Sequence, residues 1–252
     1  MSGQLIIGIH AVRTALKHGV QRVERLWFDA ARRDRRLRQL IDEARAIGLQ
    51  PEPSDKAALD RMTGAANHQG VVAQGEMPTS LDEAALDALL GGLSVPPLLL
   101  VLDGVTDPHN LGACLRSADA AGAHAVIAPR DRAGGLTPVV CKVASGAAET
   151  MPFVQVTNLA RTLRHLQDKH RVFVIGTAGE AETDLYQADL TGPLALVMGA
   201  EGVGLRRLTR DTCDRLVSLP MRGRVESLNV SVATGVCLYE ALRQRGPVFA
   251  ST

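Results

Sequence analysis

Short apolar runs alternate with amphipathic stretches along most of the chain, a pattern typical of α/β proteins. After residue 97, six apolar runs have the length of buried strands: 98–104, 124–129, 153–156, 171–177, 194–199 and 214–220. Five stretches with helical spacing accompany them: 110–122, 138–148, 158–169, 204–211 and 229–245. This order predicts a parallel sheet with helices on both faces, and such sheets bind ligands at the carboxyl ends of their strands.

The first 75 residues have the same alternation on a smaller scale. Strands are predicted at 5–10, 23–30 and 68–75, and helices at 11–19, ended by Gly19, and 32–48. Residues 76–96 change in character, with Pro and Gly pairs around one short helix whose expected N-cap is Thr79 or Ser80. We therefore predict an N-terminal domain (1–75), a linker (76–96) and a C-terminal domain (97–252).

Composition excludes several classes of protein. The 252 residues are 46% hydrophobic and 22% charged, which is ordinary for a globular protein with a substantial core. No apolar run is long enough to span a membrane, and the first residues do not resemble a signal peptide. The four cysteines are far apart and no histidine pair has ligand spacing, so we expect no metal site and a cytoplasmic location.

The net charge of +1 argues against a general cationic surface for nucleic acid, but it is unevenly distributed. Residues 1–75 hold 12 Lys and Arg against 8 Asp and Glu, whereas residues 76–252 hold 16 against 19. Five arginines crowd the start of the second predicted helix: Arg32, Arg33, Arg35, Arg36 and Arg38. They form either a solvated helix face or a site for an anionic partner. Cations at a helix N-terminus are unfavourable with the helix dipole, which favours the anionic partner.

The first candidate loop, 103–122, joins a strand that ends at Asp103 to a helix. Asn110 is placed to cap that helix, so capping is one interpretation of this residue. Arg116 interrupts an otherwise small and apolar helix, so its side chain must reach solvent, an acid or a ligand.

The second candidate loop follows the apolar run that ends at Gly199. Glu201, Gly202 and Gly204 precede the next helix, and glycines at such a turn permit positive φ and close approach to a ligand. The string is neither a Walker phosphate loop nor the glycine fingerprint of dinucleotide-binding folds. A nicotinamide-dependent oxidoreductase, which would need that fingerprint, is therefore weakly supported.

The third candidate loop leads into the last helix. Ser227 and Asn229 are natural caps for it. The helix itself is apolar on nearly all sides, so it is either a buried core helix or part of a subunit interface. Ser231 and Gly235, four residues apart, would let another backbone approach closely.

Together the loops resemble, in order, the three motifs of the SPOUT methyltransferases, in their branch of RNA ribose 2′-O-methyltransferases. The matching strings are DPHNLGACLRSADAAG, LVMGAEGVGLRRL and LPMRGRVESLNVSVATG. Three further strings, GIHAV (8–12), HQG (68–70) and KVASGAAE (142–149), are similar to the members that act on guanosine in bacterial 23S ribosomal RNA. The resemblance implies a C-terminal parallel-sheet SPOUT domain with a deep trefoil knot, an exception to the rule against knots, and a small N-terminal α/β RNA-binding domain like a ribosomal protein.

The resemblance also implies S-adenosylmethionine as cofactor, 23S ribosomal RNA as partner, and a homodimer formed through the knot helices. Residues expected around the cofactor are Gly179, Met198, Gly199, Gly202, Leu219, Met221 and Leu228. Residues that match the family's catalytic positions are Asn110, Arg116, Glu201, Ser227 and Asn229. The implied reaction is methyl transfer to a guanosine ribose 2′-hydroxyl; the alternatives are another rRNA or tRNA ribose, or a non-catalytic RNA-binding knot protein.

Overall fold

The computed structural model describes residues 4–18, 23–131 and 133–246, so the predicted helix end at Gly19 lies outside it. Contacts between residues divide the chain into two compact units. The first unit consists of Met1–Thr79 and Leu136–Thr150, and the second of Ser80–Gly135 and Met151–Thr252. The segment 136–150 thus packs with the N-terminal residues, although it lies within the sequence of the C-terminal half.

The first unit is built on a four-stranded sheet in the order β1-β4-β2-β3. β4 pairs antiparallel with β1 and β2, and β3 pairs parallel with β2. Its elements are β1 (Gln4–Ile7), α1 (Ile9–His18), β2 (Val23–Asp29), α2 (Arg35–Ala46), β3 (Glu52–Ser54), α3 (Lys56–Thr63) and β4 (Val71–Gly75), with α6 (Pro138–Ala144) and α7 (Ala147–Thr150). The apolar stripe of α2 packs on this sheet and closes a small core.

Several N-terminal elements differ from their predicted bounds. The first strand ends at Ile7, because Gly8 has a φ of 98° and starts the turn into α1. β3 and α3 were not predicted, since β3 has only three residues, one of them a proline, and lacks an apolar pattern. The predicted helix 138–148 is two helices, because Ser145 and Gly146 both have positive φ and end the first one.

The second unit contains the predicted parallel sheet, with six strands in the order β10-β8-β9-β5-β6-β7. Every pairing in it is parallel. Its strands are β5 (Leu98–Asp103), β6 (Ala125–Pro129), β7 (Phe153–Val156), β8 (Phe173–Thr177), β9 (Leu194–Gly199) and β10 (Arg215–Val217). The α/β class and the parallel sheet are confirmed.

The helices of the second unit are α4 (Glu83–Gly91), α5 (Pro108–Ala120), α8 (Leu159–His170), α9 (Arg207–Thr212) and α10 (Val230–Arg245), with a 3₁₀ turn at Leu185–Gln187. Residues of α4 and α8 share a core with β5, β7 and β9. Helices α5 and α10 pack against each other, and the Cys114 thiol lies 3.5 Å from the Thr234 hydroxyl. None of the helices in the described ranges combines the length and apolar character needed to cross a bilayer.

The predicted caps of α4 are wrong. Asp82 caps the helix by accepting a hydrogen bond from Ala85 N at 2.9 Å, whereas Leu81 is still extended and bridges to Val154 of β7. The helix therefore starts three residues beyond Ser80. It lies within the predicted linker range, and Leu86 and Leu90 contribute to the core of the second unit.

Candidate functional site

The carboxyl ends of four neighbouring strands meet at one edge of the six-stranded sheet. Asp103 at the end of β5 is in register with Gly199 at the end of β9, and Thr177 of β8 is in register with Val217 of β10. The three candidate loops leave from β5, β9 and β10 at this edge. The chain order also reverses between β5 and β9, and such a switch point is where open α/β sheets bind ligands.

Asn110, Glu201 and Asn229, one from each candidate loop, form a hydrogen-bonded trio at this edge. The Glu201 carboxylate accepts from Asn229 Nδ2 at 2.6 Å and from Asn110 Nδ2 at 3.2 Å. Asn229 Nδ2 also donates to Asn110 Oδ1 at 2.9 Å. Three residues that are up to 119 positions apart in sequence are thereby fixed in one arrangement at the surface.

Asn110 does not cap α5, contrary to that interpretation of the sequence. Asp107 is the N-cap and accepts from His109 N at 2.6 Å, and Pro108 occupies the first helical turn. Asn110 therefore lies inside that turn, where its amide reaches the other two loops. Asn229 serves two purposes, since its Oδ1 accepts from Ser231 N at 2.9 Å and caps α10 while its Nδ2 holds the trio.

The loop that carries Glu201 folds back on the end of β9. Ala200 and Gly204 form an antiparallel bridge with N–O distances of 2.8 and 3.2 Å. A Cβ at Gly199 would lie 2.3 Å from the Gly204 carbonyl carbon, so only glycine fits there. Gly202 and Gly204 have φ of 75° and 71°, which the tight return of the loop requires. The glycine at 199 is thus explained by loop closure, and the loop presents Glu201 at its exposed tip.

An ion pair with a buried carboxylate anchors the same loop, and its part in the site was not predicted from the sequence. The Asp103 carboxylate is fully buried and accepts from both the backbone N and the Nε of Arg206. Because a buried carboxylate is costly without such partners, Asp103 and Arg206 hold the end of the loop against β5. The available sequence signal was Asp103 itself, an acid that ends an otherwise apolar strand.

Arg116 and Ser227 are placed differently from the trio. Arg116 is exposed on α5 and thus reaches solvent, and Ser227 is exposed in the loop before α10. In the described part of the chain, neither side chain is hydrogen-bonded to Asn110, Glu201 or Asn229. Their predicted catalytic roles remain predictions.

The residues expected around the cofactor lie on three loops of this edge. Gly179 follows β8, in a loop joined to β10 by Ala178 N–Val217 O and Ser218 N–Thr183 O bonds of 2.9 Å. Met198 is buried and its sulfur lies 3.8 Å from the Thr177 hydroxyl. The other members are Gly199 at the end of β9, Gly202 in the loop that follows it, and Leu219, Met221 and Leu228 after β10.

This set of residues fits an adenosyl group. A Cβ at Gly179 or Gly202 would meet no atom within 4 Å, so backbone edges are open to a ligand there. Leu219 and Met221 are half-buried and Leu228 is exposed, which supplies apolar surface beside those edges. Apolar surface with a few backbone polar groups is the usual lining of a small-molecule site.

A separate polar cluster joins α4 and α8. Asp87 Oδ1 lies 2.8 Å from the Nε2 atoms of His165 and His170, and Asp87 Oδ2 accepts from Lys169 Nζ at 2.8 Å. Partial burial acts to raise the pKa of Asp87, but these hydrogen bonds outweigh it and hold the pKa well below its ordinary value. The cluster offers three potential metal ligands among the described residues, and its hydrogen bonds join the two helices.

Comparisons with known families agree with this geometry. The sequence model of the SpoU rRNA methylase family matches residues 97–239, and a model described as RNA 2′-O ribose methyltransferase substrate binding matches residues 5–81. A 23S rRNA (guanosine-2′-O-)-methyltransferase RlmB from Ralstonia nicotianae is 61% identical over 246 residues, which cover 97% of each chain. The corresponding protein of Shewanella oneidensis is 58% identical over 96% of this chain and 97% of its own.

Solved structures give the same result. The SpoU methyltransferase AviRb from Streptomyces viridochromogenes, in complex with the cofactor AdoMet, superposes with a TM-score of 0.77 at 29% identity, over 97% of this chain and 91% of its own. An rRNA methyltransferase from Sinorhizobium meliloti has a TM-score of 0.74 at 25% identity, over 95% of this chain and 86% of its own. The loop motifs, the parallel sheet and these matches lead to one conclusion: the chain belongs to the SpoU rRNA methylase family, and its resemblance to SPOUT methyltransferases is confirmed.

Proposed function

We propose that the protein transfers a methyl group from S-adenosylmethionine to a guanosine ribose 2′-hydroxyl of 23S ribosomal RNA. The observation that carries this proposal is the trio of Asn110, Glu201 and Asn229, which joins all three family motifs at the carboxyl edge of the sheet. The printed activity of the relatives, at 58–61% identity over nearly the whole chain, supports the substrate.

The chain's own residues position and polarise the reacting hydroxyl. Bound S-adenosylmethionine supplies an electrophilic methyl group on a sulfonium. Glu201 locks the amides of Asn110 and Asn229, so their orientation is set before RNA arrives. The attacking hydroxyl must lose its proton, and the family assigns its removal to the position of Arg116. A guanidinium resists deprotonation, so in our proposal Arg116 holds an RNA phosphate and stabilises the developing alkoxide, while water or another group takes the proton.

The cofactor would lie against Gly179, Gly199, Gly202 and the apolar side chains that follow β10. Leu219, Met221 and Leu228 would cover the adenosyl group, and Met198 would support the floor from within the core. Ser227 lies two residues before Asn229 and would face the ribose from the same loop.

The proposed architecture includes a trefoil knot around the loops after β9 and β10, and a homodimer formed through α10. Val232 and Tyr239 are each 52% exposed and seven residues apart, so they lie on one face of α10 and offer it to a second copy. The proposed domains are 1–75 for RNA binding, 76–96 as linker and 97–252 for catalysis. With 23S ribosomal RNA as substrate, the proposed location is the bacterial cytoplasm.

Mapping of ribose methylation tests the proposal directly. Mass spectrometry of 23S ribosomal RNA from a deletion strain should show one guanosine without its 2′-O-methyl group, restored by the purified protein with S-adenosylmethionine. Titration calorimetry should show heat with S-adenosylmethionine and none with NADH. An unchanged methylation map, with no heat from S-adenosylmethionine, would refute the proposal.

Substitution of Arg116 tests its role. Arg116→Ala should abolish methyl transfer while S-adenosylmethionine binds with nearly unchanged affinity, because the side chain is exposed and acts on RNA. Arg164→Ala, which removes an exposed arginine from α8, is the matched control and should keep parental turnover. Near-normal turnover of Arg116→Ala would exclude both the base and the phosphate role.

A further inference from the structure

Three strings that resemble the family but lie outside its methyl-transfer motifs converge in the first unit. Gly8 and His10 belong to GIHAV, Gln69 to HQG, and Lys142 to KVASGAAE. All of them line one cavity of about 130 Å³, together with Asn67 and Ser145. Strings that are far apart in sequence thus form a single polar depression. None of its lining residues belongs to the trio or to the expected cofactor site.

The backbone around the cavity is held in uncommon conformations. Gln69 and Ser145 have φ of 52° and 55°, which non-glycine residues rarely adopt. Buried His68 fixes the first turn, because its Nδ1 accepts from Gly70 N at 3.0 Å and its Nε2 lies 3.1 Å from Asp60 Oδ1. The turn is therefore rigid, and it presents Gln69 outward as an exposed side chain.

The Gln69 amide is hydrogen-bonded through its oxygen, whereas its nitrogen is available to a ligand. Its Oε1 accepts from Ile9 N at 3.1 Å, across 60 residues of sequence, and this bond orients the amide. No residue in the described ranges accepts from its Nε2, so two donors face the depression. Asn67 and Lys142 are exposed beside it, and no acidic residue lines the cavity.

A second cavity of about 260 Å³ continues the depression, since Asn67 and Gln69 line both. Arg32 and Lys56 line this second cavity, with Asp29 and Asp60 among its acids. A Cβ at Gly70 would lie 2.7 Å from Arg32 Cδ, so the glycine of HQG lets the arginine lie across the turn. Asn67 and Gln69 therefore place amide donors in the part that the two cavities share. Lys142 lines the first cavity, and Arg32 and Lys56 line the second.

We propose that this depression binds an unpaired nucleotide of the RNA substrate, with Lys142 on a phosphate and the amides of Asn67 and Gln69 on the base edge. Amide groups in a small recess read the edges of single-stranded bases, and a lysine contributes as a point charge on phosphate. This inference rests on the proposed function, because it identifies where the first unit holds the RNA that the second would methylate.

The test measures binding of full-length protein to a 23S ribosomal RNA transcript at several salt concentrations. Lys142→Ala should weaken binding about tenfold and reduce the slope of log K against log salt by about 0.7, the value for one phosphate contact on a single strand. Gln69→Gly keeps the positive φ and should weaken binding about tenfold at an unchanged slope. In turnover assays both variants should raise KM for RNA and leave kcat unchanged. Arg164→Ala removes an exposed charge from the second unit and should match the parent.

The outcomes separate this inference from the proposed function. RNA affinity and salt slope equal to those of Arg164→Ala in both variants would overturn the nucleotide site, whatever the methylation activity. A parent that binds RNA and loses affinity with Lys142→Ala, yet methylates no ribose, would overturn the proposed function and leave the site standing. Lys142 is exposed, so its substitution remains informative if Gln69→Gly unfolds the turn.

Discussion

Both ends of α10 are rich in hydrogen bonds, but the bonds differ in kind. Those at the first end join exposed side chains, and those at the other end join side chains to the backbone of neighbouring loops. At the first end, Asn229 caps the helix and joins Glu201 and Asn110 on the surface. These three side chains are bonded to one another and to the first residues of α10, and they join all three candidate loops. An exposed arrangement of this kind contributes little to stability and a defined geometry to a ligand.

At the other end, the polar groups satisfy backbone carbonyls. The Arg245 guanidinium donates to the carbonyl oxygens of Leu190 at 3.1 Å, Pro96 at 3.0 Å and Pro97 at 3.2 Å, and also to that of Gly192. Burial lowers the pKa of Arg245 from its ordinary value. Gln244 adds bonds to Leu190 N and Ala188 O, so this end joins two loops to the helix. In our proposal, the first end of the helix serves catalysis, whereas the bonds at the other end serve folding.

Glu201→Ala should have the largest effect and tests the first half of this comparison. Without the carboxylate, the amides of Asn110 and Asn229 lose their common acceptor, so we expect kcat to fall by about two to three orders of magnitude. The melting temperature should change little, because the side chain is exposed. Turnover and thermal unfolding on the same preparation check both statements.

Glu201→Gln is the matched control, since its amide oxygen can still accept from Asn229 and Val230. Partial recovery of kcat at unchanged KM would identify Glu201 as a positioning residue. A large loss of stability in Glu201→Ala, with turnover preserved below the unfolding transition, would reverse the assignment of the two ends.

Arg245→Ala should have the next largest effect, on stability. Two partly buried and two exposed carbonyl oxygens would lose this donor, and we expect the free energy of unfolding to fall by about 2–3 kcal/mol. Turnover below the unfolding transition should be retained. Urea unfolding measures the change, and Arg207→Ala, whose side chain is 90% exposed, is the control. An Arg245→Ala protein of parental stability would contradict the structural role of this end.

Glu240→Gln should have the smallest effect, and it depends on pH. Hydrogen bonds from Arg243, then from Gln244, lower the pKa of Glu240 to about 2. The stabilisation is therefore present above the ordinary carboxyl pKa and is lost as pH falls towards 2. Parent and variant should differ by about 1 kcal/mol at pH 7 and converge at low pH. Urea unfolding from pH 7 to pH 2.5 measures this, and a difference that does not change with pH would contradict it.

The sequence predicted the parallel sheet because its strands lie in mainly apolar runs between helical patterns. Five buried residues of β5, Leu98 to Leu102, illustrate this signal. β3 was missed because its three residues carry no apolar pattern and are ordered by pairing with β2. α3 was missed because it is short, with Leu59 as its buried residue and the Asp55 cap at its start. Local pattern does not record such tertiary contributions.

The sequence predicted which three loops form the candidate site, but not how their side chains contact one another. Asn110 and Asn229 were identified, but the sequence does not show that Asp107 takes the cap of α5 from Asn110 while Asn229 keeps the cap of α10. The Asp103–Arg206 ion pair joins residues 103 positions apart, so no spacing could indicate it. The place of 136–150 in the first unit was also not predictable, since its apolar residues would suit either core.

That placement has a consequence for how the protein is made. The N-terminal strands are complete once residue 75 has been synthesised, but the segment that buries Val140, Cys141 and Ala144 among them emerges only after about 70 more residues, which take several seconds to translate. During this interval the nascent first unit has an uncovered apolar surface. Completion of the first unit therefore waits until Ser80–Gly135, about a third of the second unit, has been synthesised.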